Sequence, residues 1–156
     1  MKKALLGLFF CGMICSWANA QQSGEARIHG YGVYGLRTNQ FGAGGGIEYF
    51  FSDQFALMPS YTWIDAEVGN LSNFSFDLRY YFTEGVSQVY VLAGYSQTFE
   101  NTQPGTAGTR RNSVGGNIGA GAYIRITDWM GLISEFRFQS QGIQQVVAKA
   151  GLAFPL

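Results

Sequence analysis

The sequence predicts an all-β chain: an eight-stranded antiparallel up-and-down transmembrane β-barrel with a polar interior and an apolar, lipid-facing exterior. Three observations lead there. Apolar residues recur with period two over long stretches, as in strands whose two faces meet different surroundings. Only 13% of the 156 residues are charged, while 47% are hydrophobic and 16% aromatic. A water-soluble domain carries about 25% charge. The connections between stretches alternate between short turns and longer links, the rhythm of a barrel that crosses a membrane. The formal net charge of zero argues against a nucleic-acid binder, and the aromatic content argues against disorder.

The first element is an address. Lys2 and Lys3 precede the apolar run Ala4 to Cys15, and Ser16-Trp17-Ala18-Asn19-Ala20 ends in the A-x-A pattern of signal-peptidase sites. Residues 1–20 therefore read as a secretory signal peptide, cleaved after Ala20, and residues 21–156 as one barrel domain. A lipoprotein signal using Cys11 or Cys15 is disfavoured, because Phe10 and Ile14 stand where a small residue is needed. Cleavage removes both cysteines and leaves Lys149 as the one lysine. Soluble β-proteins guard their surfaces with lysine, so this scarcity points to an exterior away from water.

The strands follow in order. Arg27 to Leu36 is rich in glycine and tyrosine, and its two faces do not separate. Ala43, Ile47, Tyr49 and Phe51 oppose Glu48. Phe55 to Ile64 points Phe55, Leu57, Tyr61 and Trp63 outward, with Pro59 requiring a bulge or a missing ladder bond in a sheet without edges. Phe74, Phe76, Leu78, Tyr80 and Phe82 oppose Ser75, Asp77, Arg79 and Tyr81. Val89 to Tyr95 is apolar on both faces, which leaves its register open. Val114, Ile118, Ala120, Ala122, Ile124 and Ile126 oppose Asn117, glycines, Tyr123 and Arg125. Leu132, Phe136 and Phe138 oppose Glu135 and Arg137. Val146, Ala148, Ala150, Leu152 and Phe154 oppose Gln145 and Lys149. Ser52 to Gln54, Thr83 to Ser87 and Thr127 to Trp129 read as tight turns. Asp65 to Asn73 and Phe99 to Asn112 read as long loops, with shorter links near Arg37 to Gly42 and Gln139 to Ile143.

A soluble lipocalin-like carrier would share this alternation with its faces exchanged. The charges decide between them. An outward Arg or Lys at mid-membrane costs ~2–4 kcal/mol, so a lipid face should carry none. Where apolar residues set the register, every charge falls on the opposite face. Aromatics also gather near strand ends, as interfacial girdles require.

The stretches Gly44-Gly-Gly-Ile-Glu-Tyr-Phe-Phe-Ser-Asp-Gln-Phe-Ala-Leu57 and Gly119-Ala-Gly-Ala-Tyr-Ile-Arg-Ile-Thr-Asp128, within an eight-strand plan, resemble small OmpA/OmpX-type outer-membrane β-barrel proteins. The C-terminal alternation through Leu152, Phe154 and Leu156 is similar to the signal read by the barrel-assembly machinery, although it ends without an aromatic residue and contains Pro155. The resemblance implies a monomer in the outer membrane of a Gram-negative bacterium, exported through a Sec signal, with outer-membrane lipid and lipopolysaccharide as surroundings. It implies a structural or surface-interaction role. The peptidoglycan-anchoring domain of some relatives is not expected to follow.

Candidate site residues divide into three groups. Glu48, Asp77, Arg79, Arg125, Glu135, Arg137 and Lys149 are expected as an interior ion-pair network, because an eight-stranded lumen is only wide enough for packed side chains and a buried charge must pair. The alternative use of the same charges is a narrow path for ions or small solutes. Arg110 and Arg111, read as part of the longest loop, are candidates for lipopolysaccharide phosphates. His29 is the single histidine and lies beside no serine motif, so no catalytic set is expected. Neither a metal nor a cofactor is expected. Gly30-Tyr-Gly-Val-Tyr-Gly35 matches G-x-G-x-x-G but lies within a strand, where it cannot cradle a dinucleotide. Strand glycines such as Gly119 and Gly121 are expected to permit curvature and close approach of inward aromatics.

Overall fold

The computed structural model describes residues 23–66, 69–102, 110–141 and 144–156; the signal segment lies outside the described residues. The strands are β1 (Ala26–Gly35), β2 (Gln40–Ser52), β3 (Phe55–Ile64), β4 (Asn70–Tyr81), β5 (Ser87–Asn101), β6 (Arg110–Thr127), β7 (Met130–Gln139) and β8 (Gln145–Pro155). Each pairs antiparallel with the next, and β8 pairs with β1 from Val147 beside Gly35 to Pro155 beside Arg27. The barrel is closed. Pro155 supplies no N–H, and the Leu156 amide continues the seam by donating to the Ala26 carbonyl at 3.0 Å. Pro59 behaves as its chemistry demands: β2 and β3 pair at Gly46/Ser60 and resume at Tyr49/Leu57 in the same register, so the ladder skips Pro59 without a bulge there.

Two ends are distinct. Asp53–Gln54, residues 82–86 and Asp128–Trp129 turn the chain at one end, which also holds Glu25 and Leu156; we name it the turn end. The loop end carries the four remaining connections. Here the structure corrects the expected loops, because β4 begins at Asn70, β5 reaches Asn101 and β6 begins at Arg110. Ten-residue strands such as β1, β3 and β7 rise about 33 Å along their length, enough at the usual tilt to cross an apolar band about 25 Å tall. At 18 residues, β6 is longer than that crossing requires. Its pairing with β7 stops at Asn117/Gln139, whereas its pairing with β5 continues to Arg110/Asn101. A shoulder made by β4, β5 and β6 therefore stands above the loop-end rim.

The outward and inward faces match the alternation. Phe76, Leu78, Ile118, Ile124, Leu132 and Phe136 are exposed on the barrel surface, while Asp77, Arg79, Glu135 and Arg137 are buried. The structure also orients the two strands that sequence left open. In β1, Arg27, His29 and Tyr31 point inward and Ile28 outward; in β5, Tyr90 and Leu92 point inward and Val89, Val91 and Tyr95 outward. Rings on the outer face touch in pairs: Phe55 lies 5.0 Å from Tyr80, Trp129 lies 6.2 Å from Phe154, and near the other rim Tyr61 lies 4.8 Å from Trp63. These are the girdles. Apart from its charges the lumen holds two apolar clusters, Tyr31/Met58/Tyr123/Ile133/Ala153 and Phe50/Ala56/Tyr81/Tyr90/Leu92.

Candidate functional site

Strand alternation places every second side chain of β4 in the lumen, so Tyr81, Arg79, Asp77, Ser75 and Asn73 climb in that order from the turn end toward the loop end. Each rung meets partners from other strands. Arg79 spans the lumen, donating from Nη1 to Glu48 of β2 at 3.0 Å and from Nη2 to Glu135 of β7 at 2.7 Å. Glu48 also accepts from Tyr81 Oη at 2.6 Å and from His29 Nε2 at 3.1 Å. Glu135 accepts from Tyr90 Oη at 2.8 Å and from Arg137 through both Nε and Nη2. Arg137 extends from Nη1 to Asp77 at 3.0 Å, and Asp77 accepts from Asn117 Nδ2 at 3.0 Å. Asn117, Ser75, Asn73, Ser96 and Gln141 continue the chain of hydrogen bonds upward.

Below this column, Arg27 closes the turn end. Its guanidinium lies 4.6 Å from the Phe50 ring and 4.3 Å from the Tyr123 ring, with Nε on Glu25 at 2.8 Å and Nη1 on Gln88 at 2.9 Å. Tyr90 leaves its ring against Gly121, where an added Cβ would lie 2.6 Å from Tyr90 Cζ. Glycine at 121 is thus a seat for an inward ring.

The structure joins Glu48, Asp77, Arg79, Glu135 and Arg137 in one network and corrects the rest of the expected set. Arg125 is only half-buried, at the β6–β7 irregularity near the turn end, and its Nε has no hydrogen-bond partner. Lys149 is buried and lies opposite Glu135 in the β7–β8 register, yet forms no ion pair among the described residues. Its Nζ sits instead 3.6 Å from the centroid of the Tyr31 ring. Alternation in the sequence puts Tyr81 and Tyr123 inward, but it assigns Arg27 and Tyr90 to no face and names none of the four as a partner of the charges. The rule that no charge faces lipid would have turned Arg27 inward and oriented the whole of β1.

Arg110 and Arg111 are the first residues of β6 and not part of a loop. Strand alternation separates them: Arg111 lines the loop-end mouth of the lumen with Glu100, and Arg110 takes the outer face. His29 Nδ1 has no hydrogen-bond partner, so no serine hydroxyl of the described residues meets it. Gly30 to Gly35 lie within β1. Leu152 and Leu156 are exposed on the outside, and Phe154 is stacked on Trp129.

Above the column the lumen opens. A pocket of about 320 Å³ at the loop end is lined by Thr38, Gln40, Asn73, Thr98, Gln139 and Gln145, among others. A smaller chamber of about 30 Å³ shares several of these walls and reaches Arg137, Lys149 and Tyr31 at its floor.

No curated protein sequence matches the chain. Solved structures do. The N-terminal β-barrel domain of OprF from Pseudomonas aeruginosa superposes with a TM-score of 0.76 at 24% identity, covering 87% of this chain and 100% of that one. OprG from the same organism gives 0.67 at 12% identity, over 89% of this chain and 99% of that one. Ail, the attachment invasion locus protein of Yersinia pestis, solved with the heparin analogue sucrose octasulfate, gives 0.62 at 16% identity, over 86% and 100%. These likenesses establish the fold. The family model for the outer membrane protein beta-barrel domain matches residues 8–149, and the chain belongs to that family.

Proposed function

We propose that this barrel serves a structural or surface-interaction role in the outer membrane of a Gram-negative bacterium, with its lumen shut to ions and its loop end outside. The observation that carries the reading is Arg79, buried and bonded at once to Glu48 and Glu135 on strands across the lumen. Opening a path there means separating buried charges from their partners, which costs several kcal/mol per pair. The Phe50 and Tyr123 rings against Arg27, with Tyr81 packed on Phe50 and Tyr90 on Tyr81, add a second seal nearer the turn end.

The chain is exported by its N-terminal signal, inserted by the barrel-assembly machinery through the Leu152/Phe154/Leu156 face, and works as a monomer. At the raised shoulder Arg110 is the residue placed to meet lipopolysaccharide phosphates, while Arg111 stands over the mouth. Planar-bilayer recording on the folded, purified protein tests the closed lumen. Quiet membranes are expected, and reproducible unitary steps would replace this reading with a narrow pore. Cell fractionation, with a gel shift between unboiled and boiled samples, tests the compartment: recovery as a soluble periplasmic species would overturn it. Replacing Arg110 by Gln should weaken lipopolysaccharide binding, and unchanged binding would remove that contact.

A further inference from the structure

Lys149 is the buried lumen cation that makes no direct ion pair among the described residues, although Glu135 and Asp77 act on it through space. The acid facing it across the β7–β8 ladder, Glu135, is held by Arg79, Arg137 and Tyr90. Asp77 is held by Arg137 and Asn117, and Glu48 by Arg79, His29 and Tyr81. Lys149 is 4% exposed, and its contact is the face of Tyr31. A ring face attracts an ammonium group but accepts none of its hydrogen bonds with the strength of an oxygen anion.

The amine is also reachable. It belongs to the floor chamber of about 30 Å³, which is room for about two water-sized groups, the size of a carboxylate's two oxygens. The chamber opens into the wider loop-end pocket through walls that both share, among them Gln40, Asn73, Gln139 and Gln145. Amide side chains offer donors and acceptors together, the chemistry that reads hydroxyl groups. At the mouth Glu100 and Arg111 set one charge of each sign, so the rim gives no net bias, and the cations that line the chamber below are Arg137 and Lys149.

We propose that the loop-end vestibule binds a small hydroxylated monocarboxylate, with the carboxylate on Lys149 Nζ and the hydroxyls on the amide walls. The site stands above the Arg79 bridges, so it accepts a solute from the loop end without requiring passage through the barrel.

The test is calorimetric titration of the full barrel, folded in uncharged micelles, with glucuronate as the probe and methyl glucoside as its neutral counterpart. Saturable one-to-one binding of glucuronate is expected, with none for the glucoside. Lys149→Met should weaken it about tenfold or more, the loss of one charge-assisted contact, and Glu84→Gln, exposed in a turn at the opposite end of the barrel, should leave it unchanged. Absence of saturable binding, equal binding of the glucoside, or unchanged affinity in Lys149→Met would each overturn the proposal. Should Lys149→Met fail to fold, the wild-type protein still decides. Glucuronate must shift the amide resonances of Lys149 and Gln145 and leave Gln88 at the turn end in place; a shift at Gln88 without one at Lys149 refutes the site.

Discussion

The two halves of the lumen are built from the same eight strands and the same alternation, yet one is solid and the other hollow. Toward the turn end the inward positions hold Arg27, Glu48, Phe50, Arg79, Tyr81, Tyr90 and Tyr123, all long or broad side chains, and they meet across the axis. Toward the loop end the lumen is lined by Thr38, Gln40, Asn73, Thr98, Gln139 and Gln145, none of them aromatic or an arginine, and a pocket of about 320 Å³ remains. Eight strands set a diameter that side chains can just fill. Which half is filled is then a matter of residue size and of whether each long side chain finds a partner on a facing strand.

That contrast can be broken most severely at its centre. Arg79→Ala strands Glu48 and Glu135 without their shared cation, and should lower stability by about 3–5 kcal/mol. The measurement is the denaturant midpoint of the folded band in detergent, compared with wild type. Equal midpoints would show that the bridges across the lumen do not hold the barrel. Tyr81→Phe removes the 2.6 Å hydrogen bond to Glu48 while keeping the ring. About 1.5–3 kcal/mol is expected, since the acceptor is charged, and Tyr90→Phe should behave alike through Glu135. Gly121→Ala places a methyl group against the Tyr90 ring and against the Ser134 carbonyl, so overpacking should cost about 1–3 kcal/mol. The smallest effect belongs to the hollow half. Gln145→Ala changes a wall of the vestibule and should move the midpoint by no more than about 0.5 kcal/mol. A loss at Gln145 as large as that at Arg79 would erase the distinction between the halves.

Much of this was legible in the sequence, for a physical reason. In β2, β4, β6, β7 and β8 a single strong penalty, charge against hydrocarbon, acts at every second residue, so the pattern carries the register. In β5 the penalty is silent: Tyr90 and Leu92 pack the interior while Val89 and Val91 meet lipid, and both faces read as apolar. In β1 glycines blur the contrast, and only Arg27 tells the faces apart. The upper ends of β5 and β6 were read as loop because the segment from Arg110 to Ser113 is polar on both faces, as suits a ribbon standing clear of the lipid.

The pairing inside the lumen was less accessible. Alternation says that Arg79, Glu48 and Glu135 point inward, but their meeting depends on strand tilt and stagger around the whole cylinder. Asp77 and Arg79 share one strand and hold different partners, whereas Glu135 and Arg137 share one strand and hold each other. No spacing rule separates those cases. Lys149 shows the same limit from the other side: its cross-strand neighbour is an acid, and still the ammonium group turns to a ring.

The seam between β1 and β8 joins Arg27 to Pro155, nearly the two extremes of the described chain. Until the final strand has arrived, β1 keeps an unmated row of amides and carbonyls, which oil cannot solvate. A half-made cylinder is therefore no stable resting state within the bilayer. Zipping shut and sinking in have to happen together, and the long wait for that last contact is where a helper that shields open edges has most to offer.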